Sequence, residues 1–184
     1  MTIDNLIFLL IVGVLFLYII LALVRSLRLV PARMEFIVER FGRYHSTLDA
    51  GFHFLIPFVD KVAFVQDLKE HTMDVPSQTC FTKDEIQVEV DGVIYLQVVD
   101  SQKASYGITD FQYASIQLAQ TTTRAIIGTL DLDRTFEERE AISGKVVAVL
   151  DSVSAKWGVR ILRFEIKNLV PPESVRQSME KQVT

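Results

Sequence analysis

Within "ERFGRYHSTLDAGFHFLIPFVDK", Glu39 to Lys61, stand two histidines, a serine and two aspartates, the residue types of a hydrolytic triad. His45, Ser46 and Asp49 could pass a proton to a nucleophilic hydroxyl, but a triad is defined by where its members sit in space, not by crowding in sequence. No G-x-S-x-G elbow surrounds Ser46. Gly42 and Gly51 do not complete a phosphate loop, because neither G-x-G-x-x-G nor G-x-x-x-x-G-K-[ST] occurs in the chain. The stretch reads as a solvated turn. Metal chemistry has little support: His45, His53, His71 and the single thiol Cys80 lack the close pair spacing of zinc motifs. Cys80, beside Phe81, reads as a small packed residue, and a lone cysteine cannot form an internal disulfide. Asp131 and Asp133 in "LDLDRTFEERE" suit the start of a helix better than a divalent-ion site, with Glu137 and Glu138 in its first turn. No catalytic residue, metal site or cofactor is expected. A membrane-bound hydrolase, using a serine and one of the three histidines, is the rival reading.

The elements that position these residues follow from periodicity and punctuation. "RMEFIVERFG" (Arg33 to Gly42) is strand-like with a turn at Gly42, and "DAGF" (Asp49 to Phe52) is a second turn. A strand is expected from Val62 to Val75, ended by Pro76-Ser77. In "EIQVEVDGVIYLQVV", Ile86, Val88, Val90, Ile94, Leu96 and Val98 share one face at period two, with a kink or bulge at Gly92. Thr109 or Asp110 caps a helix through "FQYASIQLAQTTTRAII", closed by Gly128. Thr135 and Glu138 have capping-box spacing for a helix to Trp157, striped by Ile142, Val146, Val149, Leu150, Val153 and Trp157. "VRILRFEIKNL" returns as a strand, and Pro171-Pro172-Glu173 opens a last helix. Strands, then helices, then a strand and a helix make an α+β body.

Before this body runs "LIFLLIVGVLFLYIILALV", Leu6 to Val24, without a charge. At 1.5 Å per residue its about 19 residues extend about 28 Å, close to the hydrocarbon thickness of a bilayer. A signal peptide would carry a basic leader and a small-residue cleavage pattern, and a core helix would be shorter with a polar face. The segment reads as a retained membrane anchor. Arg25, Arg28 and Arg33 follow it and no basic residue precedes it, which places the N-terminus outside and the body in the cytoplasm. A balance of 19 basic against 23 acidic residues, net −4, argues against nucleic acid as a partner.

Two apolar groups carry alternative readings. "FHFLIPF" is either a buried strand or loop against the core or a membrane-facing edge, with Phe52, Phe54 and Phe58 at headgroup level. In the second case Arg25 and Arg28 also touch anionic lipid, each contributing about 1 kcal/mol. Val175, Met179 and Val183 stripe the last helix, either docking it on the body or forming a self-association surface.

"VPARMEFIVERFGRYHSTLDAGFHFLIPFVDKV" resembles the start of the stomatin–prohibitin–flotillin (SPFH, band 7) domain. The resemblance continues through "LKEHTMDVPSQTCFTKDEIQVEVDGVIYLQVVD", "KASYGITDFQYASIQLAQTTTRAIIGTLDLDRTFEERE" and "WGVRILRFEIKNLVPPESVRQSMEKQV", covering about residues 30 to 183 in order. Within the family it is most similar to the paraslipin group. The resemblance implies a twisted, mainly antiparallel sheet with packed helices after an N-terminal transmembrane helix. The expected divisions are an anchor (1–29), a membrane-proximal subdomain (30–77), a second subdomain (78–170) and the start of a C-terminal helix (171–184). It also implies a non-enzymatic scaffold that self-associates, organises membrane patches, and restrains or positions partners such as an AAA membrane protease or an NfeD-type membrane protein. A monomeric regulatory subunit of a membrane protease is the alternative. An apolar span without an Arg/Ser-rich presequence favours the bacterial inner membrane over the mitochondrial one. The family normally continues into a long charged helix, so the chain is expected to be either a fragment or a short member.

Overall fold

The computed structural model of the chain describes residues 3–173, with side chains from Phe8 onward. They form two compact units, one ending at Asp67 and one beginning at Leu68.

The first unit opens with helix α1 (Ile3–Ser26). From Phe8 to Val24 every side chain is exposed except the half-buried Ala22. The helix exposes apolar side chains on every side and is long and apolar enough to cross a membrane. It ends at Ser26, whose hydroxyl donates to the Ala22 carbonyl at 2.8 Å and whose own carbonyl accepts from the Leu55 amide at 2.8 Å. Strand β1 (Leu27–Val30) follows without a linker. Next come β2 (Met34–Arg40), β3 (Arg43–Leu48), β4 (Gly51–Phe54) and β5 (Asp60–Asp67). β1 pairs antiparallel with β4, and an antiparallel sheet has the order β3-β2-β5. Val30, Val38, Leu48 and Leu55 form the small core under these strands.

Residues 43–48 are therefore a strand rather than a solvated turn. The turn is the pair Phe41-Gly42, both left-handed at φ 51° and 74°, which is the backbone that a two-residue hairpin needs. It folds Tyr44 opposite Glu39 and Leu48 opposite Phe36, burying Leu48.

The second unit is a sheet of β6 (Glu70–Phe81), β7 (Gln87–Val98) and β8 (Val159–Val170), antiparallel in the order β6-β7-β8. Helices α2 (Ser101–Tyr106), α3 (Phe111–Ile127), α4 (Leu132–Glu137) and α5 (Arg139–Ser154) lie between β7 and β8, with a 3-10 turn at Ala155–Trp157. The period-two face of β7 is buried as its pattern requires: Val88, Val90, Ile94, Leu96 and Val98 are covered, and Ala119, Ile142, Val146, Leu150 and Phe164 share the core with Ile94 and Leu96. The register between β7 and β8 shifts at Asp91/Gly92. A Cβ on Gly92 would stand 2.7 Å from the Glu165 carbonyl and 2.9 Å from the Phe164 ring, so only glycine fits.

Asp110 caps α3 by accepting from the Tyr113 amide at 2.9 Å, and Gly128 closes it. Three expectations for this region need correction. The strand expected from Val62 to Val75 is two strands, and β6 runs on through Pro76-Ser77. Proline is tolerated there because β6 is an edge strand and its register shifts between Val75 and Gln78. Gln120 on α3 donates to the Pro76 carbonyl at 3.2 Å, and Gln78 donates back to the Gln120 carbonyl at 2.8 Å. Thr135 and Glu138 form no capping box. Thr135 is buried inside α4 with its hydroxyl on the Asp131 carbonyl, while Glu138 pairs with Arg134 at 2.6 Å and marks the break before α5. The start of α4 is served from outside, by Asp84 accepting from the Leu132 amide at 3.3 Å. On α5 the buried line is Ile142, Val146 and Leu150, while Val149 is exposed.

Candidate membrane-facing site

The β1–β4 ribbon sets the geometry. Leu27 pairs with Phe54 and Leu29 with Phe52, while Arg28 pairs with His53. Side chains alternate across a strand, so Leu27, Leu29, Phe52 and Phe54 share one face and Arg28 and His53 the other. The apolar face is uncovered, with Phe52 66% and Phe54 55% exposed. Within "FHFLIPF" only Leu55 joins the core. Phe58 is 82% exposed, at a left-handed φ of 66°.

Phe58 does have one aromatic neighbour. Its ring lies 6.3 Å from that of Tyr18 on α1, nearly parallel at 22°. Tyr18 precedes Arg25 by about 10 Å along the helix axis, so the tip of this loop reaches back beside the apolar span. The loop is locked at its far end by Asp60. The Asp60 carboxylate accepts from Arg40 Nε at 2.6 Å, from Arg40 Nη2 at 3.0 Å and from the Ile56 amide at 2.9 Å. With 3% of its side chain exposed, it is held in its charged form by these donors, Arg40 first, and its pKa falls to about 2.

The remaining candidates do not gather into a site. His45 is exposed on β3, Ser46 is half-buried beside it, and Asp49 is exposed in the turn after it. His53 Nε2 contacts the Asp49 backbone carbonyl at 2.8 Å rather than its carboxylate. His71 lies on β6 in the other unit. Among the described residues no three His, Cys, Asp or Glu side chains converge as metal ligands would. Cys80 is fully buried with Val88, Val90 and Ile127, and burial raises its thiol pKa, which keeps it protonated. Leu6 and Val24 lie within α1, which extends past both. Val175, Met179 and Val183 lie outside the described residues.

Sequence reasoning missed Tyr18, Asp60 and Lys61 as parts of this region. The charges of Arg40, Asp60 and Lys61 were visible, but only the β2–β5 pairing, which puts Arg40 opposite Asp60 and Glu39 opposite Lys61, brings them to the loop.

Comparison with known proteins agrees with this architecture. The model of the SPFH domain / Band 7 family matches residues 28–184. The human protein named "Stomatin-like protein 2, mitochondrial" is 44% identical over 154 residues, covering 84% of this chain and 43% of its own length. "Stomatin-like protein stl-1" of Caenorhabditis elegans is 41% identical over 84% of this chain and 48% of its own. A Methanocaldococcus jannaschii protein, MJ0827, described as uncharacterized, is 39% identical over 96% of this chain and 86% of its own. The chain thus spans less than half the length of the named stomatin-like relatives. With the family model matching from β1 onward and the antiparallel sheets and packed helices in place, the chain belongs to the SPFH domain / Band 7 family as a stomatin-like member.

Proposed function

We propose that the chain is a non-enzymatic, membrane-anchored scaffold whose first unit seats on the bilayer, and which self-associates to organise a membrane patch and to restrain or position membrane partners. The observation that carries this reading is the uncovered apolar surface of α1, of Leu27, Leu29, Phe52 and Phe54 on one face of the β1–β4 ribbon, and of Phe58 in the loop beside Tyr18. Each exposed aromatic on this face is costly in water and favourable at headgroup depth.

By the same reading, Arg25 and Arg28 meet anionic lipid, and the residues around Val175, Met179 and Val183 begin a self-association surface. An AAA membrane protease or an NfeD-type membrane protein is the kind of partner proposed. The basic residues after α1 support an N-terminus outside and a cytoplasmic body in the bacterial inner membrane. The mitochondrial inner membrane is the alternative, and the human relative is named as mitochondrial.

The seating is tested with an environment-sensitive fluorophore on cysteines placed singly at Phe52, Phe54 and Phe58, labelled in vesicle-reconstituted protein. Cys80 is buried and will not compete for label. Blue-shifted emission, quenched by brominated lipid, is expected at all three positions and not at Arg43. Water-like emission at all three would overturn the seating.

A further inference from the structure

A cavity of about 540 Å³ lies between the end of α1 and the segment from Leu55 to Val62. We propose that it binds one anionic glycerophospholipid, with the phosphodiester held by Arg25, Arg28 and Lys61 and the upper acyl chain against Tyr18, Leu21 and Phe58. This rests on the membrane reading above, which it deepens by naming a ligand and a place.

The cavity wall has two chemistries. Arg25 comes from the last turn of α1, Arg28 from β1 and Lys61 from β5, so three cations from three elements converge on it. One carboxylate lines it, Asp60, and that charge is already committed to Arg40 and the Ile56 amide. The pocket therefore keeps a net positive charge that calls for an anion. Apart from Ser26, whose hydroxyl donates to the Ala22 carbonyl, the rest of the wall is largely apolar, and through Tyr18 and Phe58 it extends about 10 Å toward the hydrocarbon along α1. A free phosphate uses only the cations, and an apolar ligand uses only the wall. A lipid with an anionic headgroup uses both, with the charged end at the helix terminus and the chain along the apolar segment.

The size is that of a small-molecule pocket. Its shape is set in advance, because the Asp60 bonds to Arg40 and to the Ile56 amide fix the loop that carries Phe58. A ligand entering it has little ordering to do.

The test is native mass spectrometry of the full chain released from micelles containing equal phosphatidylglycerol and phosphatidylcholine. One retained phosphatidylglycerol per chain is expected, in preference to phosphatidylcholine and undisturbed by added inorganic phosphate. Lys61→Gln should weaken that retention about fivefold, the size of one basic residue's attraction to an anionic lipid, and Arg25→Gln with Arg28→Gln should abolish it. Arg43→Gln, which removes a charge from the same unit outside the cavity, should change nothing. Equal retention of both lipids, displacement by phosphate, or the same loss in Arg43→Gln and Lys61→Gln would overturn the lipid site and leave the scaffold reading standing. A chain that alkaline carbonate strips from membranes would instead overturn the anchored reading itself. Circular dichroism of each variant checks that lost binding is not lost folding.

Discussion

Asp60 binds three donors with one carboxylate, and the consequence is pH-dependent. Its folded pKa of about 2 lies below the ordinary value of 3.8. The charged form is therefore favoured by folding, and its stabilisation is complete above about pH 4 and lost as pH falls toward 2. Asp60→Asn should be less stable than the parent at neutral pH, with the difference closing between about pH 4 and pH 2. Thermal unfolding followed across that range measures it; a difference that stays constant would mean that the carboxylate's charge is not what holds the loop. Phe41 offers the opposite case. It is 81% exposed at φ 51°, a backbone that costs a non-glycine residue about 1 kcal/mol. Phe41→Asn should stabilise the first unit by up to about 1 kcal/mol, read from denaturant unfolding. Destabilisation would show that the ring makes a contact that its exposure conceals. Residue types alone carry little at this scale. His45, Ser46 and Asp49 have the types of a triad when written in a row, but His45 and Ser46 are neighbours on β3 and Asp49 follows the strand's end.

Elements were read best where one rule governed them. The alternation in β7 names its buried face because a sheet covered on one side by helices admits no other register. The Asp110 cap was likewise legible, since its side chain answers a local need of α3. What failed was decided from outside each segment. Pro76 looks like an end only until Gln120 on α3 secures the bulge around it. Thr135 looks like a cap until Leu132 and its own burial draw it into α4. The α5 stripe divides in the same way, and the division is measurable. Ile142→Ala should cost about 2–5 kcal/mol, whereas Val149→Ala should fall within about 0.5 kcal/mol of the parent. Comparable losses at both positions would place Val149 in an interface outside this chain.

At the scale of the whole molecule, the first unit opens with an apolar helix and carries an uncovered apolar face, and the second unit has an ordinary closed core. The apolar helix was legible because its length and absence of charge mark it in the sequence. The apolar face was only half legible: composition marked Phe52, Phe54 and Phe58, but the pairing that adds Leu27 and Leu29 to them is long-range. A chain that works as an assembly on the membrane keeps many copies together when extracted, so its extracted mass reports that role. Light scattering of the detergent-solubilised chain, corrected for bound detergent, should give a discrete assembly of many copies. A monomer across the accessible concentration range would contradict the scaffold and favour a regulatory subunit acting singly.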